Sequence, residues 1–504
     1  MTATEAGSRP APLVVKGKAL PAQVSTGTDD LGMPDASDVR MATLRALWFA
    51  SPLKSERGCR RWGASPDVDQ LPVRTSTRKG GGVTVGVGGL RTCGHWHEPV
   101  CGTKIAMERA GDDAHYLRLW AAAGEVDGMT MVRGPVPKVS LVRGHVPKDK
   151  RKIVPAGGCA VISTFSVQHH LGHRLEEMVI AMRAASKAIS SGRAAQDFRR
   201  RMGVAWQVRV FECTHGDVHG WHPHFHYLFL INGAWRGESA DPFVRQAFRP
   251  LWDLWVAELA KYGFSAVAEV HGESAGFDAK LIDLTSPESI RRVAGYINKG
   301  HETTRTATWD TGATLADQSG SAARELDGGV WKAGKAPDMN PGHRHRSIAQ
   351  VIEDYAFPAS AESAEQDKAL IVEFKLAMRK LRMPQRKPSP GMRAAFVALA
   401  AALEAKGVIV PGQLTDVERT DEEIAAAEDF PDAVTVGHIR KGAWAAWFAW
   451  ELPALRAAGR MGGQAAVLAY LSDPARNTDG DGSSGLGFEP FDPLADSDVN
   501  VSLT

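Results

Sequence analysis

His224 and His226 flank a single phenylalanine, and a third histidine, His222, stands two residues before them. Successive side chains of a β-strand point to opposite faces, so the three histidines would share one face, and Phe225 and Tyr227 would share the other. Imidazole nitrogens bind divalent metals readily. The pattern predicts a metal site on one face of a strand whose other face packs in a core. A surface tract of histidines, or core histidines without a metal, is the alternative.

A carboxylate in the preceding segment could complete this site. Residues 204–212 alternate as a strand and residues 214–220 would turn the chain, which predicts a β-hairpin. With the turn centred near Asp217, Glu212 would face His222 on the histidine side of the sheet, whereas an odd-numbered shift of the register would place it on the far side. Two imidazoles and one carboxylate suit Mn²⁺, Mg²⁺ or Zn²⁺ and leave positions open for substrate.

A tyrosine and a lysine one helical turn apart could supply a nucleophile and a cation. Ser286 followed by proline predicts the start of a helix that runs to residue 299. Its apolar stripe leaves the opposite face to Glu288, Arg292, Tyr296 and Lys299. A phenol with a pKa of about 10 is a weak nucleophile at neutral pH, so a nearby lysine and a metal-polarised electrophile would have a definite role. An amphipathic helix with an incidental tyrosine is the alternative.

Strands and helices in succession would hold these residues in place. Strand patterns cover residues 161–167, 204–212, 220–231, 264–270 and 278–284. Helix patterns cover residues 175–202, 243–255 and 286–299. Beyond residue 300 the pattern weakens, with Ala-rich helical stretches at 361–383, 392–406 and 440–470.

The length of the chain and the distribution of its charge indicate a multidomain protein with a strongly basic segment. The 504 residues suffice for two to four domains. A net charge of +2 conceals a segregation, because residues 131–210 hold 15 Lys and Arg against 4 Asp and Glu, whereas residues 412–504 hold 6 against 16. A basic block beside the histidine strand is what a polyphosphate partner requires, and a solvated surface with an unrelated acidic tail is the alternative. Without a long apolar run or a secretory signal pattern, we expect a cytoplasmic protein with no membrane partner.

Three motifs in this order resemble those of the HUH endonucleases. They are Ser163-Thr-Phe-Ser-Val-Gln-His169, His224-Phe-His226 and Tyr296-Ile-Asn-Lys299. Within that superfamily the chain is most similar to the rolling-circle replication initiators of actinobacterial plasmids, over about residues 90–300. The resemblance implies an α+β fold with an antiparallel five-stranded sheet and helices on one of its faces. A small Cys/His module would precede this core, and an α-helical C-terminal region would follow it.

The resemblance also implies a reaction. The chain would nick and rejoin plasmid origin DNA through a 5′-phosphotyrosine intermediate, with Tyr296 as the nucleophile. Lys299 would position DNA or stabilise the phenolate, and Glu288 would activate water or a second strand transfer. The DNA would be a single-stranded or hairpin origin, and a host helicase and polymerase would act with it.

The metal in such a protein is Mn²⁺ or Mg²⁺. His224 and His226 would be two of its ligands. Glu212 would be the third ligand, with His222 or His169 as competitors for that position.

A cysteine-rich segment precedes the nuclease core in these initiators, and residues 93–101 resemble it. The place of one further cysteine is filled here by His97 and Glu98. An odd number of cysteines in a reducing compartment favours metal binding or burial over disulfides. Zinc ligation by Cys93, His97 and Cys101 is one prediction, with Cys59 or His95 as the fourth ligand. The alternative prediction is that these cysteines are buried in a loop without a metal.

Seven basic residues are predicted to contact DNA. They are Lys150, Arg151, Lys152, Arg199, Arg200, Arg201 and Arg292. A relaxase or HUH transposase would share the chemistry, although relaxases commonly place the tyrosine ahead of the histidine motif. A non-catalytic, metal-bearing DNA-binding regulator and a hydrolytic metalloenzyme acting on small substrates are further alternatives.

The domain boundaries follow from these segments. We expect a disordered N-terminus over residues 1–50, a Cys/His zinc module over 51–130, a basic linker over 131–152, a nuclease core over 153–300, a partly helical region over 301–474 and a disordered acidic tail over 475–504.

Overall fold

The computed structural model describes residues 36–61, 64, 70–77, 82–126, 158–232, 240–270, 273–282, 284, 290, 345–409, 434–440, 444–473 and 488–490. The helices are α1 (Ala36–Ala50), α2 (Lys54–Arg57), α3 (Pro99–Val126), α4 (Leu175–Ser191), α5 (Arg193–Met202), α6 (Ala240–Ala260), α7 (Ile348–Ala356), α8 (Ala361–Leu381), α9 (Met392–Ala405) and α10 (Trp444–Leu471). The strands are β1 (Gln70–Thr77), β2 (Val83–Val87), β3 (Gly158–Ser166), β4 (Val204–Gly216), β5 (Gly220–Asn232), β6 (Glu269–Val270), β7 (Glu273–Ser274), β8 (Phe277–Ile282), β9 (His345–Ser347), β10 (Arg386–Pro388), β11 (Val434–Arg440) and β12 (Phe488–Pro490).

The largest sheet is antiparallel and confirms the predicted α+β class. Its strand order is β10-β4-β5-β3-β8, and β9 pairs with β4 beyond this path. Among the described residues it therefore has six strands rather than five, because β9 and β10 come from beyond residue 300. The strand expected over 264–270 does not join it, since Glu269 and Val270 pair instead with β7 in a separate two-stranded sheet.

Both faces of this sheet are covered by helices, whereas we expected helices on one face. Along β5, Phe225, Tyr227 and Phe229 pack into a core with α4, α6, α7 and α8. Leu228 and Leu230 point the other way and pack with residues of α3 and α9. Successive side chains of a strand point to opposite faces of the sheet. From residue 227 onward the side chains on both faces of β5 are apolar, so both faces can be covered by helices.

The N-terminal helix α1 corrects the expectation of disorder over residues 36–50. Leu44, Leu47 and Trp48 recur at helical spacing and are buried. Leu47 packs into the core of the large sheet, while Leu44 and Trp48 pack into a second core beside the cysteines. The helix is thus held between two cores. Residues 1–35 lie outside the described residues.

A second antiparallel sheet joins distant parts of the chain in the order β12-β11-β1-β2. The Cys/His module is therefore not confined to residues 51–130, because β11 and β12 complete its sheet. The strand β12 lies within the segment 475–504, where we expected an acidic tail without structure. Buried side chains of β1, β2 and β11, including Val73, Val85 and Ile439, form one core. Part of the core that covers β1 comes from sequence-distant residues, which a local pattern does not reveal.

Helices α7, α8 and α9 pack against the central sheet, whereas α10 packs into the core of the second sheet. Ile352 of α7 and Phe374 of α8 belong to the same core as β5. The expected basic linker, residues 131–152, lies outside the described residues. Across the part of the chain that the structure describes, no helix combines the length and apolar character needed to cross a membrane.

Candidate metal centre

The hairpin of β4 and β5 sets which side chains face each other. Glu212 pairs with His224, Val210 with His226 and Thr214 with His222. We predicted Glu212 opposite His222, so the observed register differs by two residues. The turn centres on Val218 rather than Asp217, and moving the centre by one residue moves every pair by two. An even shift keeps Glu212 on the histidine face.

Glu212, His224 and His226 converge within this face. The Oε2 atom of Glu212 lies 2.8 Å from Nε2 of His224 and 2.8 Å from Nε2 of His226. All three side chains are buried, and their ligand atoms lie within 4.8 Å of one another. The second carboxylate oxygen, Oε1, is buried and has no hydrogen-bond partner. Two imidazole nitrogens and a carboxylate with an unsatisfied oxygen fit a divalent metal ion.

Hydrogen bonds at the far nitrogens orient both rings. Nδ1 of His226 lies 3.0 Å from Oγ1 of Thr164 in β3, and Nδ1 of His224 lies 3.4 Å from the backbone oxygen of His222. These contacts direct each Nε2 toward Glu212, as outer partners of metal-binding histidines do. The sequence reasoning gave Thr164 no role. Its role follows from the pairing of Thr164 with His226 across β3 and β5.

Burial and charge set the protonation of this group. Burial opposes ionisation of Glu212, but the charge of His224 and hydrogen bonds from both histidines outweigh it and lower the carboxyl pKa. Burial also lowers the pKa of His226. An ionised carboxylate beside a neutral imidazole is the state that a metal requires of its ligands.

His222 and His169, the other candidates for the third ligand, form a pair of their own. Nδ1 of His222 lies 3.2 Å from Nε2 of His169. Within the described residues, neither belongs to the group around Glu212. Burial lowers the pKa of His169.

The predicted tyrosine helix is described at a single position. Glu288, Arg292, Tyr296 and Lys299 lie outside the described residues. Ile290, a member of the predicted apolar stripe, is buried in the core that contains Val210 and Leu228. These two residues share the sheet face of Glu212 and the histidines. Ile290 therefore lies on the metal side of the sheet.

The predicted DNA contacts on α5 lie far from this group. Arg199, Arg200 and Arg201 occupy the end of α5, just before β4 begins at Val204. Glu212 stands eight residues along that strand, which corresponds to about 26 Å at 3.3 Å per residue. Arg200 forms an ion pair with Asp197. Lys150, Arg151 and Lys152 lie outside the described residues.

Three cysteines converge at a second site, with a carboxylate in place of the expected histidine. Cys59, Cys93 and Cys101 lie together with Glu98, and Sγ of Cys59 is 3.5 Å from Sγ of Cys101. The predicted ligand His97 is not in this group. Adjacent side chains diverge in the turn before α3, so that Glu98 faces the sulfurs.

His97 instead joins a buried ionic network. Its Nδ1 lies 3.0 Å from Oε1 of Glu56 and 2.8 Å from Nζ of Lys375, and Nζ lies 3.0 Å from the same carboxylate oxygen. His95 contacts Glu56 as well, at 3.0 Å. Burial and the charge of Lys375 lower the pKa of His97 to about 4. The lysine ammonium supplies the positive charge that Glu56 needs in this interior.

Comparisons with known proteins give two distant relatives. The chain is 26% identical over 244 residues to "Protein rep" of Streptomyces lividans, covering 42% of this chain and 46% of that protein. It is 27% identical over 172 residues to "Neomycin resistance protein" of Streptomyces cyanogenus, covering 27% of this chain and 39% of that protein. The chain thus spans less than half the length of either relative. No protein-family model and no solved structure matches it.

Proposed function

We propose that this protein initiates plasmid replication by nicking and rejoining origin DNA through HUH-type chemistry. The distant similarity to "Protein rep" suggests a replication role and, with it, DNA binding. The observation that carries the nuclease part of the proposal is the buried convergence of Glu212, His224 and His226, with one carboxylate oxygen left unsatisfied. A purely structural ion pair would have no need of that open oxygen.

The proposed roles follow from the chemistry of each side chain. Glu212, His224 and His226 would hold Mn²⁺ or Mg²⁺, which when bound polarises a phosphate as a Lewis acid. The phenolate oxygen of Tyr296 would form a bond to the scissile phosphorus, and the bond from phosphorus to the 3′-oxygen would break. The 3′-oxygen would take up a proton and leave as a hydroxyl, with the 5′-phosphate joined to Tyr296.

Two further residues would assist this step. Lys299, one helical turn from Tyr296 in the predicted helix, would stabilise the phenolate or position DNA. Glu288 would activate water or a second strand transfer. Resealing reverses the first step, because the 3′-hydroxyl attacks the phosphotyrosine and releases the phenol. The free 3′-hydroxyl would prime synthesis by a host polymerase, with a host helicase unwinding the duplex.

A covalent-adduct assay tests this proposal. Labelled single strands that tile the DNA flanking this gene are incubated with protein and Mn²⁺, and adducts are resolved on denaturing gels. We expect an adduct with wild type and with Tyr262→Phe, whose tyrosine is exposed at the end of α6. Tyr296→Phe and His226→Ala should form none.

Two outcomes separate the alternatives. If salt-sensitive DNA binding occurs but wild type forms no adduct with any strand, the protein is a metal-bearing DNA-binding regulator and the nuclease proposal fails. If Tyr296→Phe forms as much adduct as wild type, another residue is the nucleophile and the assignment of Tyr296 is wrong.

A further inference from the structure

We propose that a zinc ion is bound by three thiolates and Glu98, at a site separate from the Glu212 group. The thiolates are those of Cys59, Cys93 and Cys101. This ligand set differs from the one that the sequence favoured, since Glu98 replaces His97. The role of the zinc is structural.

The sulfur positions fit a shared metal. Sγ of Cys59 and Sγ of Cys101 are 3.5 Å apart. Two sulfurs on a tetrahedral zinc, each about 2.3 Å from it, stand about 3.8 Å apart. A disulfide would bring them to about 2.0 Å, and all five cysteines are free. The ligand atoms of the whole group lie within 4.8 Å of one another, so small movements suffice to close a tetrahedron.

Glu98 gives an independent indication that a cation belongs here. Its side chain is fully buried, and Oε2 accepts a 2.5 Å hydrogen bond from the backbone N–H of Cys101. The other oxygen, Oε1, is buried without a hydrogen-bond partner. A buried carboxylate oxygen left unsatisfied is costly, and a cation shared with the three sulfur atoms would remove that cost.

The backbone next to Cys93 donates a hydrogen bond to its sulfur, as the surroundings of metal-bound thiolates do. The N–H of His95 donates to Sγ of Cys93 at 3.5 Å. Gly94 between them has φ of +67°, a conformation that a glycine adopts without strain. Amide groups that point at sulfur offset the negative charge of a metal thiolate.

The neighbouring group of Glu56, His95 and His97 does not offer a comparable metal site. Nζ of Lys375 lies 3.0 Å from Oε1 of Glu56 and 2.8 Å from Nδ1 of His97. An ammonium already occupies the position that a metal would take. Three thiolates and a carboxylate form a closed soft site that suits zinc, and such closed sites serve stability.

The zinc would join three segments of the chain. Cys59 follows α2, Cys93 lies in the loop after β2, and Cys101 is in the first turn of α3. The same loop carries Trp96, whose Nε1 donates to the backbone oxygen of Met383 at 3.2 Å. The ring of Trp96 contacts Phe211 edge-on at 6.2 Å, on the strand that carries Glu212. Zinc would fix this loop against the back of the metal-binding hairpin.

Zinc content of the full chain tests the proposal. Protein purified without added metal is expected to hold one tightly bound zinc per chain. That zinc should remain in the double variant His224→Ala/His226→Ala, which separates this site from the proposed nuclease centre. Cys101→Ser and Glu98→Gln should lower zinc content, whereas Cys213→Ser, a buried cysteine outside the group, should not.

A titration of wild type supplies a second measurement that does not depend on the folding of Cys101→Ser. Stepwise modification of thiols by an organomercurial should release the zinc in step with the three clustered cysteines. Wild type without zinc after reducing purification would overturn the proposal. So would zinc that is lost in the histidine double variant but kept in Cys101→Ser, or a disulfide between Cys59 and Cys101 in protein kept under reducing conditions.

Discussion

Replacing Thr164 by valine should weaken metal binding without changing any ligand. Oγ1 of Thr164 lies 3.0 Å from Nδ1 of His226, whose ring is only 2% exposed. With a metal bound, the hydroxyl would accept from the Nδ1–H and so leave the Nε2 lone pair for the metal. Valine has the same shape but cannot accept a hydrogen bond. The proton can then shift to Nε2, and the ring loses its fixed orientation.

Loss of such an outer partner typically costs 10- to 100-fold in metal affinity, which is about 1.4–2.7 kcal/mol. We expect that range for the Mn²⁺ dissociation constant of Thr164→Val, measured by calorimetry or by the electron paramagnetic resonance signal of free Mn²⁺. Thr164→Ser keeps the hydroxyl and should restore most of the affinity. Thr164 is therefore a positioning residue, and affinity is the readout that shows it.

Ser163→Ala is the matched control. Ser163 is the neighbouring residue on β3 and is buried, and its Oγ donates to the backbone oxygen of Asp278 at 2.7 Å. Its loss should cost about 1 kcal/mol of stability and leave Mn²⁺ affinity unchanged. The reasoning is refuted if Thr164→Val binds Mn²⁺ as tightly as Ser163→Ala, or if Thr164→Ser binds as weakly as Thr164→Val.

Two further predictions concern stability. Burial lowers the pKa of His215 to about 4, so the unfolded chain takes up this proton first and the free energy of unfolding should fall as the pH falls from about 6.5 to 4. His215→Asn should flatten that part of the profile in urea titrations, and an unchanged slope would contradict the assignment. Lys375→Met strands the buried carboxylate of Glu56 and should cost about 3–5 kcal/mol in urea unfolding. The double variant with Glu56→Gln should recover part of that loss, and a double variant no more stable than the single would show that the ion pair is not the cause.

The sequence predicted the face of the metal site but not its register. The alternation of side chains along residues 220–231 determines which histidines share a face of the sheet. Every shift of the hairpin register by an even number of residues keeps Glu212 on that same face. Whether the turn centres on Asp217 or Val218 depends on how Gly216 and Gly220 pair, and a local pattern cannot decide between them. The role of Thr164 required the pairing of β3 with β5, which strand patterns do not contain.

The sequence predicted His97 beside the cysteines, whereas the structure has Glu98 there, and this error has a different cause. Both residues precede α3 and either could reach the cysteines in an irregular loop. The choice is made by Lys375, which lies far along the chain in α8 and bonds Nδ1 of His97 at 2.8 Å. Likewise, the helix over residues 36–50 is stabilised by cores that include residues beyond 340. Tertiary contacts of this kind override composition.

The two sheets differ in how soon their strands become available during synthesis. β4 and β5 are joined by a three-residue turn, so their hairpin can close once residue 232 has left the ribosome. The sheet beside the cysteines needs β11, residues 434–440, which are made much later. Until then β1 keeps an open edge, and Cys59 and Cys101 lack their finished core. The nascent chain therefore completes its histidine face early, and it carries unprotected thiols through most of translation.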